Sequence, residues 1–291
     1  MHDMATNVDQ AIAEYMTRLT PLDTETEAAR SHRASIETRL KQTMGMTAFF
    51  RSGSFGFGTS VRGSSDVDYF AVFAADRLNA NSNMSLNTVA AELKARFPNS
   101  GVAVDSPAVR VPFGSTLSER HEIVPAWHQK TVNNIRLFGM PNRIGGWMNA
   151  SPEAHSQYVD RVNQKHGGKV KPLIRLIKSW KYHCDVPIRS FYLENAVALW
   201  ADSQASIVYS YDIFLFLCKL DDLRLADLND PSGVSNVVSA CDASNIAACL
   251  QKIATARRAA GDARACHERG DVRGTLAAYD KVFGGKFPGY Y

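Results

Sequence analysis

The sequence predicts an α+β protein of two unlike halves, and three observations carry that prediction. Strand-like runs cluster between Thr47 and Trp127, helical patterns follow one another from about Ser151 to Phe283, and a proline- and glycine-free stretch of helix formers, Asp23 to Met44, precedes the strands. The two halves are expected at 1–150 and 151–291. With 291 residues and 45% hydrophobic content, the chain has enough apolar surface for a sizeable core.

Each element has a local reason. Met1 to Arg18 is polar with helical character, which argues against a secretory leader. The long helix follows Thr20-Pro21, takes Asp23 as its N-cap and stops near Gly45. Thr47 to Arg51 and Asp66 to Ala74 read as strands, rich in aromatic and β-branched residues, with a Gly-Ser turn between them. A helix over Ser85 to Phe97, with Ser85 as cap, ends at Pro98-Asn99. Two further strands are expected within Val102 to Phe113 and His121 to Trp127, separated by Gly114-Ser115. Helices on one side of a mixed or mainly antiparallel sheet satisfy this order. The second half should be helical throughout, over Lys169 to Tyr182, Ser190 to Ala201, Tyr209 to Leu220, Ala243 to Glu268 and Val272 to Phe283, followed by a tail from Gly284-Gly285.

Composition narrows the function. A net charge of +4 and a pI near 8.8 suit an anionic substrate but are too weak to argue for duplex binding alone. The most apolar run, Ile207 to Leu220, is too short and too interrupted to span a bilayer, so no membrane partner and a cytoplasmic location are expected. Five cysteines without a CxxC pair indicate free thiols in a reducing compartment. Cys241, Cys249, Cys266 and His267 lack the short paired spacing of a structural zinc site.

Chemistry concentrates in Gly53 to Asp68, where a small-residue turn leads into paired carboxylates. Asp66 and Asp68 flank one residue of a predicted strand, so both leave the same face and can share a cation while Val67 points into the core. Taken alone, Asp-Val-Asp is the solvated face of a half-buried strand. The upstream Gly53-Ser54 and Gly58-Thr59 add backbone donors suited to phosphate. A two-metal site needs a third acid, and Glu122 in His121-Glu122-Ile123-Val124-Pro125-Ala126 is the choice. Asp105 is the rival, although Ser106-Pro107 behind it indicates a turn.

This array resembles the polymerase-β-type nucleotidyltransferase superfamily. More narrowly, Lys171-Pro172-Leu173-Ile174-Arg175-Leu176-Ile177-Lys178-Ser179-Trp180-Lys181 followed by Ser190-Phe191-Tyr192-Leu193-Glu194 resembles the bacterial cGAS/DncV-like nucleotidyltransferases and the oligoadenylate synthases. The resemblance spans about Thr47 to Leu220, with the long helix before it as the family's spine. It implies a bilobal fold in which the helical half closes over nucleotides. Gly53 and Ser54 would contact the donor triphosphate, and Asp66, Asp68 and Glu122 would ligate two Mg²⁺ ions, with Mn²⁺ as a substitute. Lys178 would approach the donor phosphates, with Ser190 at the next helix start as a second contact. Glu122 stands where the family often has Asp.

For the bases, Asn163 could offer its amide to a base edge, and Tyr209 or Tyr211 could stack on one. The bland alternatives are a surface residue for Asn163, a core residue for Tyr209 and a snorkelling lysine for Lys178.

The implied activity is Mg²⁺-dependent joining of nucleoside triphosphates, ATP among them, into a cyclic di- or trinucleotide second messenger for anti-phage (CBASS-type) signalling. Alternatives are synthesis of linear oligonucleotides, nucleotidyl addition to an RNA or small-molecule acceptor, or a silent nucleotide-binding scaffold. The animal DNA sensor's zinc cluster is not apparent, so zinc-dependent DNA sensing is not expected. The tail through Gly289-Tyr290-Tyr291 should fray, and is where accessory proteins of such a system would attach.

Overall fold

The computed structural model describes residues 6–21, 23–64, 66–114, 119–234 and 237–290. Ser65 of the acidic motif, Ser115 of the expected Gly-Ser separator and the terminal Tyr291 lie outside the described residues. The chain divides into two compact units, one running from 21 to 157 and the other combining residues up to 20 with 158–291. The N-terminal helix α1 (Val8–Leu19) is therefore grouped with the helical unit, whereas the sequence placed it with the sheet half.

The sheet unit begins with α2 (Asp23–Met44), matching the expected bounds. It continues through β1 (Ala48–Arg51), the short helix α3 (Gly53–Phe57), β2 (Val67–Phe73), α4 (Ser82–Arg96), β3 (Ala103–Asp105), β4 (Ala108–Phe113), β5 (Glu119–Val132), β6 (Ile135–Pro141) and β7 (Trp147–Ala150). Strand order is β1-β2-β5-β4-β3, with β6 on the far half of β5 and β7 on β6. Among the described strands of this sheet, β2 and β5 are the parallel pair and the other pairs are antiparallel, so the sheet is mixed.

Alternation along the strands builds two faces. Val67, Tyr69, Ala71 and Phe73 of β2 join Val109, Val111 and Ile123 in a buried cluster with Ile36 and Leu40 of α2 and Leu86, Val89 and Leu93 of α4. Phe70, Val72, Val124, Ala126 and Phe138 form a second cluster on the opposite face. The helices cover one face, as expected.

Four local expectations change. The Gly-Ser segment is a helix of five residues rather than a simple turn. Helix α4 starts three residues early, capped by Asn81, whose Oδ1 accepts from Asn83 N, while Ser85 Oγ accepts from Asn79 N and ties down the incoming chain. Strand β5 extends to Val132 and returns through Asn133 and Asn134, both at positive φ, the backbone a tight hairpin needs. The β6–β7 hairpin was not anticipated.

The helical unit contains α5 (Pro152–Lys165) from Tyr158 on, α6 (Val170–His183), α7 (Ser190–Asp202), α8 (Tyr209–Asp222), α9 (Ile246–Glu268) and α10 (Val272–Val282). A two-residue ladder between β8 (Leu228–Asn229) and β9 (Val237–Val238) interrupts the expected all-helical half. The chain stays anchored past Gly284: Phe283 and Phe287 are buried, stack on each other at 5.5 Å and pack against Tyr15 of α1. Phe287 N donates to Asp280 Oδ1, which leaves only the residues beyond it outside this anchor. Among the described residues, no helix is long and apolar enough to cross a membrane.

Candidate active site

Asp68 is the second residue of β2 and stands directly opposite Glu122 in the parallel register of β2 and β5. Both side chains therefore project from the face opposite α2 and α4, level with Phe70 and Val124. Asp66, just before β2, has the parity of Asp68. All three acids are half-buried. Burial pushes the Glu122 carboxyl up to about 7, and the negative charges of Asp66 and Asp105 add to the rise; a hydrogen bond with Asp68 and the charge of Arg120 oppose it. Asp105 ends β3, two strands beyond Glu122, exposed and 3.8 Å from Arg110 Nη1. The rival acid thus borders the cluster and does not form its centre.

The Gly53-Ser54 segment meets the acids through its backbone. Ser52 N donates to Asp68 O at 2.8 Å, and Gly53 follows with φ +57°, opening α3. A Cβ at Gly53 would lie 1.7 Å from Asp68 Oδ2, so only glycine permits this approach. Ser54 is buried, and its carbonyl accepts from Thr59 N where Gly58 closes the helix in the left-handed region.

Arg120 belongs to this site and was missed. Its Nε lies 2.6 Å from Asp66 Oδ1 and its Nη2 donates to Ser64 O at 3.3 Å. Strand parity, two residues before Glu122, was the signal that could have found it.

The structure thus brings Gly53, Ser54, Asp66, Asp68 and Glu122 together within the sheet unit. The other four expected contacts belong to the helical unit, and each has a structural partner there. Lys178 is neither presented for phosphate nor a surface lysine: it is 1% exposed, with Nζ 2.6 Å from Glu194 Oε1. Asn163 Oδ1, expected at a base edge, accepts from Val170 N and Lys171 N at 3.1 and 3.0 Å and so caps α6. Tyr209 opens α8 half-buried, its hydroxyl donating to Lys169 O, and burial pushes that phenol up to about 12. Ser190 does begin α7, as expected, with Oγ 3.2 Å from the Tyr182 hydroxyl.

Three carboxylates on one face, two in register and one of them driven up by burial and by the charge of Asp66, form a donor set of the kind a hard divalent cation takes. Among the described residues no three Asp, Glu, His or Cys side chains are already arranged as a metal cage, and Asp66 is engaged by Arg120. Among the described residues, Cys241, Cys249, Cys266 and His267 likewise form no such cluster.

Comparison with known proteins adds the family. A probable cyclic nucleotide synthase of Bacillus cereus (strain VD146) is 24% identical over 193 residues, 60% of this chain and 54% of that protein, so the match spans about half of that relative. Escherichia coli MS115-1 CdnC, solved with ATP, superposes with a TM-score of 0.73 at 20% identity over 96% of this chain and 98% of its own. Vibrio cholerae DncV cyclic AMP-GMP synthase, solved with a linear intermediate, gives 0.77 at 13% identity over 98% and 97%. These two share the fold. The model of the Second Messenger Oligonucleotide or Dinucleotide Synthetase domain matches residues 6–163, a span that includes the short helix α3, all three carboxylates and Arg120. With more than half of its length matched, the chain belongs to the Second Messenger Oligonucleotide or Dinucleotide Synthetase family.

Proposed function

We propose that the protein joins nucleoside triphosphates into a cyclic di- or trinucleotide, releasing pyrophosphate at each transfer, and that the product signals in a CBASS-type anti-phage response in the cytoplasm. The observation that carries this reading is the parallel register of Asp68 and Glu122, with Gly53 pressed against Asp68 and Asp66 beside them. In each transfer a ribose hydroxyl oxygen forms a bond to an α-phosphorus, the bond from that phosphorus to the pyrophosphate oxygen breaks, and the hydroxyl proton leaves. Asp66, Asp68 and Glu122 would hold Mg²⁺, or Mn²⁺ in its place, and the ions when bound supply charge neutralisation and polarisation of the phosphate. Gly53 admits the start of α3 to the acids, so its backbone and that of Ser54 are close to any phosphate those ions carry.

ATP as one substrate is suggested by the ATP complex of CdnC, and a purine dinucleotide product by the named activity of DncV. CdnC is also solved with a HORMA protein. We extend the idea of an accessory partner to this chain and place its attachment on the residues beyond Phe287.

The test is incubation with each pair of labelled nucleoside triphosphates and Mg²⁺, followed by phosphatase treatment and mass analysis. A phosphatase-resistant product of cyclic mass is expected. A product that phosphatase degrades would mean linear chains, and no turnover with any triphosphate would mean a silent scaffold.

A further inference from the structure

The acid cluster already contains a fixed positive charge. Arg120 shares the face of Glu122, touches Asp66 through Nε and ties the Ser64 carbonyl through Nη2. A guanidinium cannot be neutralised by losing its proton at any ordinary pH, so its charge is permanent. Arg110, a second cation on this face, stands opposite Glu122 and leans toward Asp105 at 3.8 Å. Among the described residues, Arg120 is in direct contact with Asp66. Its side chain is 41% exposed, which leaves it room to swing.

We infer that Arg120 is the resident counterion of the acid cluster, which a divalent cation must displace from Asp66, and that the displaced guanidinium then takes a phosphate oxygen of the incoming triphosphate. This rests on the reading of Asp66, Asp68 and Glu122 as metal ligands. Two opposite consequences follow from one charge. Arg120 repels a bare divalent ion but attracts an ion that arrives carrying a triphosphate, because the anion brings the charge the guanidinium lost when it left Asp66. The site would thus discriminate in favour of loaded metal over free metal. A residue that merely braced the turn at Ser64 would not produce effects of opposite sign.

The experiment is titration with Mn²⁺ alone, followed by paramagnetic resonance, and with Mn²⁺ bound to a non-hydrolysable ATP analogue, followed by calorimetry. Neither readout needs turnover. Wild type, Arg120→Gln, Arg120→Lys and Asp68→Asn are compared, with a thermal melt for each. Arg120→Gln should bind bare Mn²⁺ about threefold to tenfold more tightly and the Mn²⁺–analogue complex more weakly by a similar factor. Arg120→Lys, which keeps the charge, should stay within about twofold of wild type for bare Mn²⁺. Unchanged or weaker binding of bare Mn²⁺ by a folded Arg120→Gln protein, with Asp68→Asn still impaired, overturns the inference. If Asp68→Asn binds Mn²⁺ as wild type does, the metal-site reading itself fails, which is a separate result.

Discussion

Gly53 and Asp68 occupy nearly the same space: a methyl group on the first would sit 1.7 Å from a carboxylate oxygen of the second. The start of α3, proposed to meet phosphate, and the acid proposed to hold metal are thus built as one unit. Gly53→Ala should displace Asp68 and abolish triphosphate turnover. Gly63 is the control, since its φ is also positive, at +71°, but a Cβ there meets nothing within 4 Å. Gly63→Ala should cost only the backbone strain, about 1–2 kcal/mol, and leave turnover near wild type. Pyrophosphate release and thermal melts of the two variants check this.

Asp66→Asn and Asp68→Asn should each reduce pyrophosphate release by more than about 10²-fold while the fold persists, because each removes a charge the cations need without changing side-chain volume. Circular dichroism establishes the fold. Undiminished turnover would reject the site.

The Lys178–Glu194 pair lies fully inside the helical unit. Lys178→Met alone strands a buried carboxylate and should destabilise by about 3–5 kcal/mol, whereas Lys178→Met with Glu194→Leu should recover most of that loss. Denaturant titrations of the single and double variants give the comparison.

Asn163→Ala removes the carbonyl oxygen that holds the first N–H groups of α6. Stability should fall by about 0.5–2 kcal/mol with the choice among triphosphates unchanged. A shift in nucleotide preference at full stability would instead return Asn163 to a base-reading role.

Glu153 offers a pH-dependent contact in the sheet unit. Burial alone would raise its carboxyl, but hydrogen bonds from the side chain and backbone of Arg136 outweigh that and hold it below the ordinary value. With the folded value depressed, the contact stabilises above the unfolded value of about 4.3 and its contribution disappears as pH falls through the folded value. Both groups are partly exposed, so the effect is below about 1 kcal/mol. Melting of wild type and Glu153→Gln should differ at pH 7 and converge as the pH falls through the folded value of Glu153.

Local pattern made much of this protein legible. Helix α2 could be placed because nothing in Asp23–Met44 breaks a helix, and the end of α10 because Gly284-Gly285 follows the helical run. Asp66 and Asp68 could be assigned to one face because strand side chains alternate with period two. Lys178 was misjudged because its partner is 16 residues away on another helix, and no spacing rule reports a tertiary ion pair. Asn163 looked like a surface amide for the same reason: the N–H groups it caps belong to the next helix, across the Gly167-Gly168 turn. The anchoring of Phe283 and Phe287 was not legible because it includes Tyr15, near the other end of the chain.

By itself the sequence determined which side chains can act together on a single strand, and that small residues precede the acids. Those are consequences of backbone geometry within a few residues. The tertiary structure alone decided that Asp68 faces Glu122, that Gly53 touches Asp68, and that Arg120 answers Asp66. Strand register explains the difference. It is set by the burial of whole strands beneath α2 and α4, so a contact between residues more than fifty positions apart depends on the packing of the entire sheet.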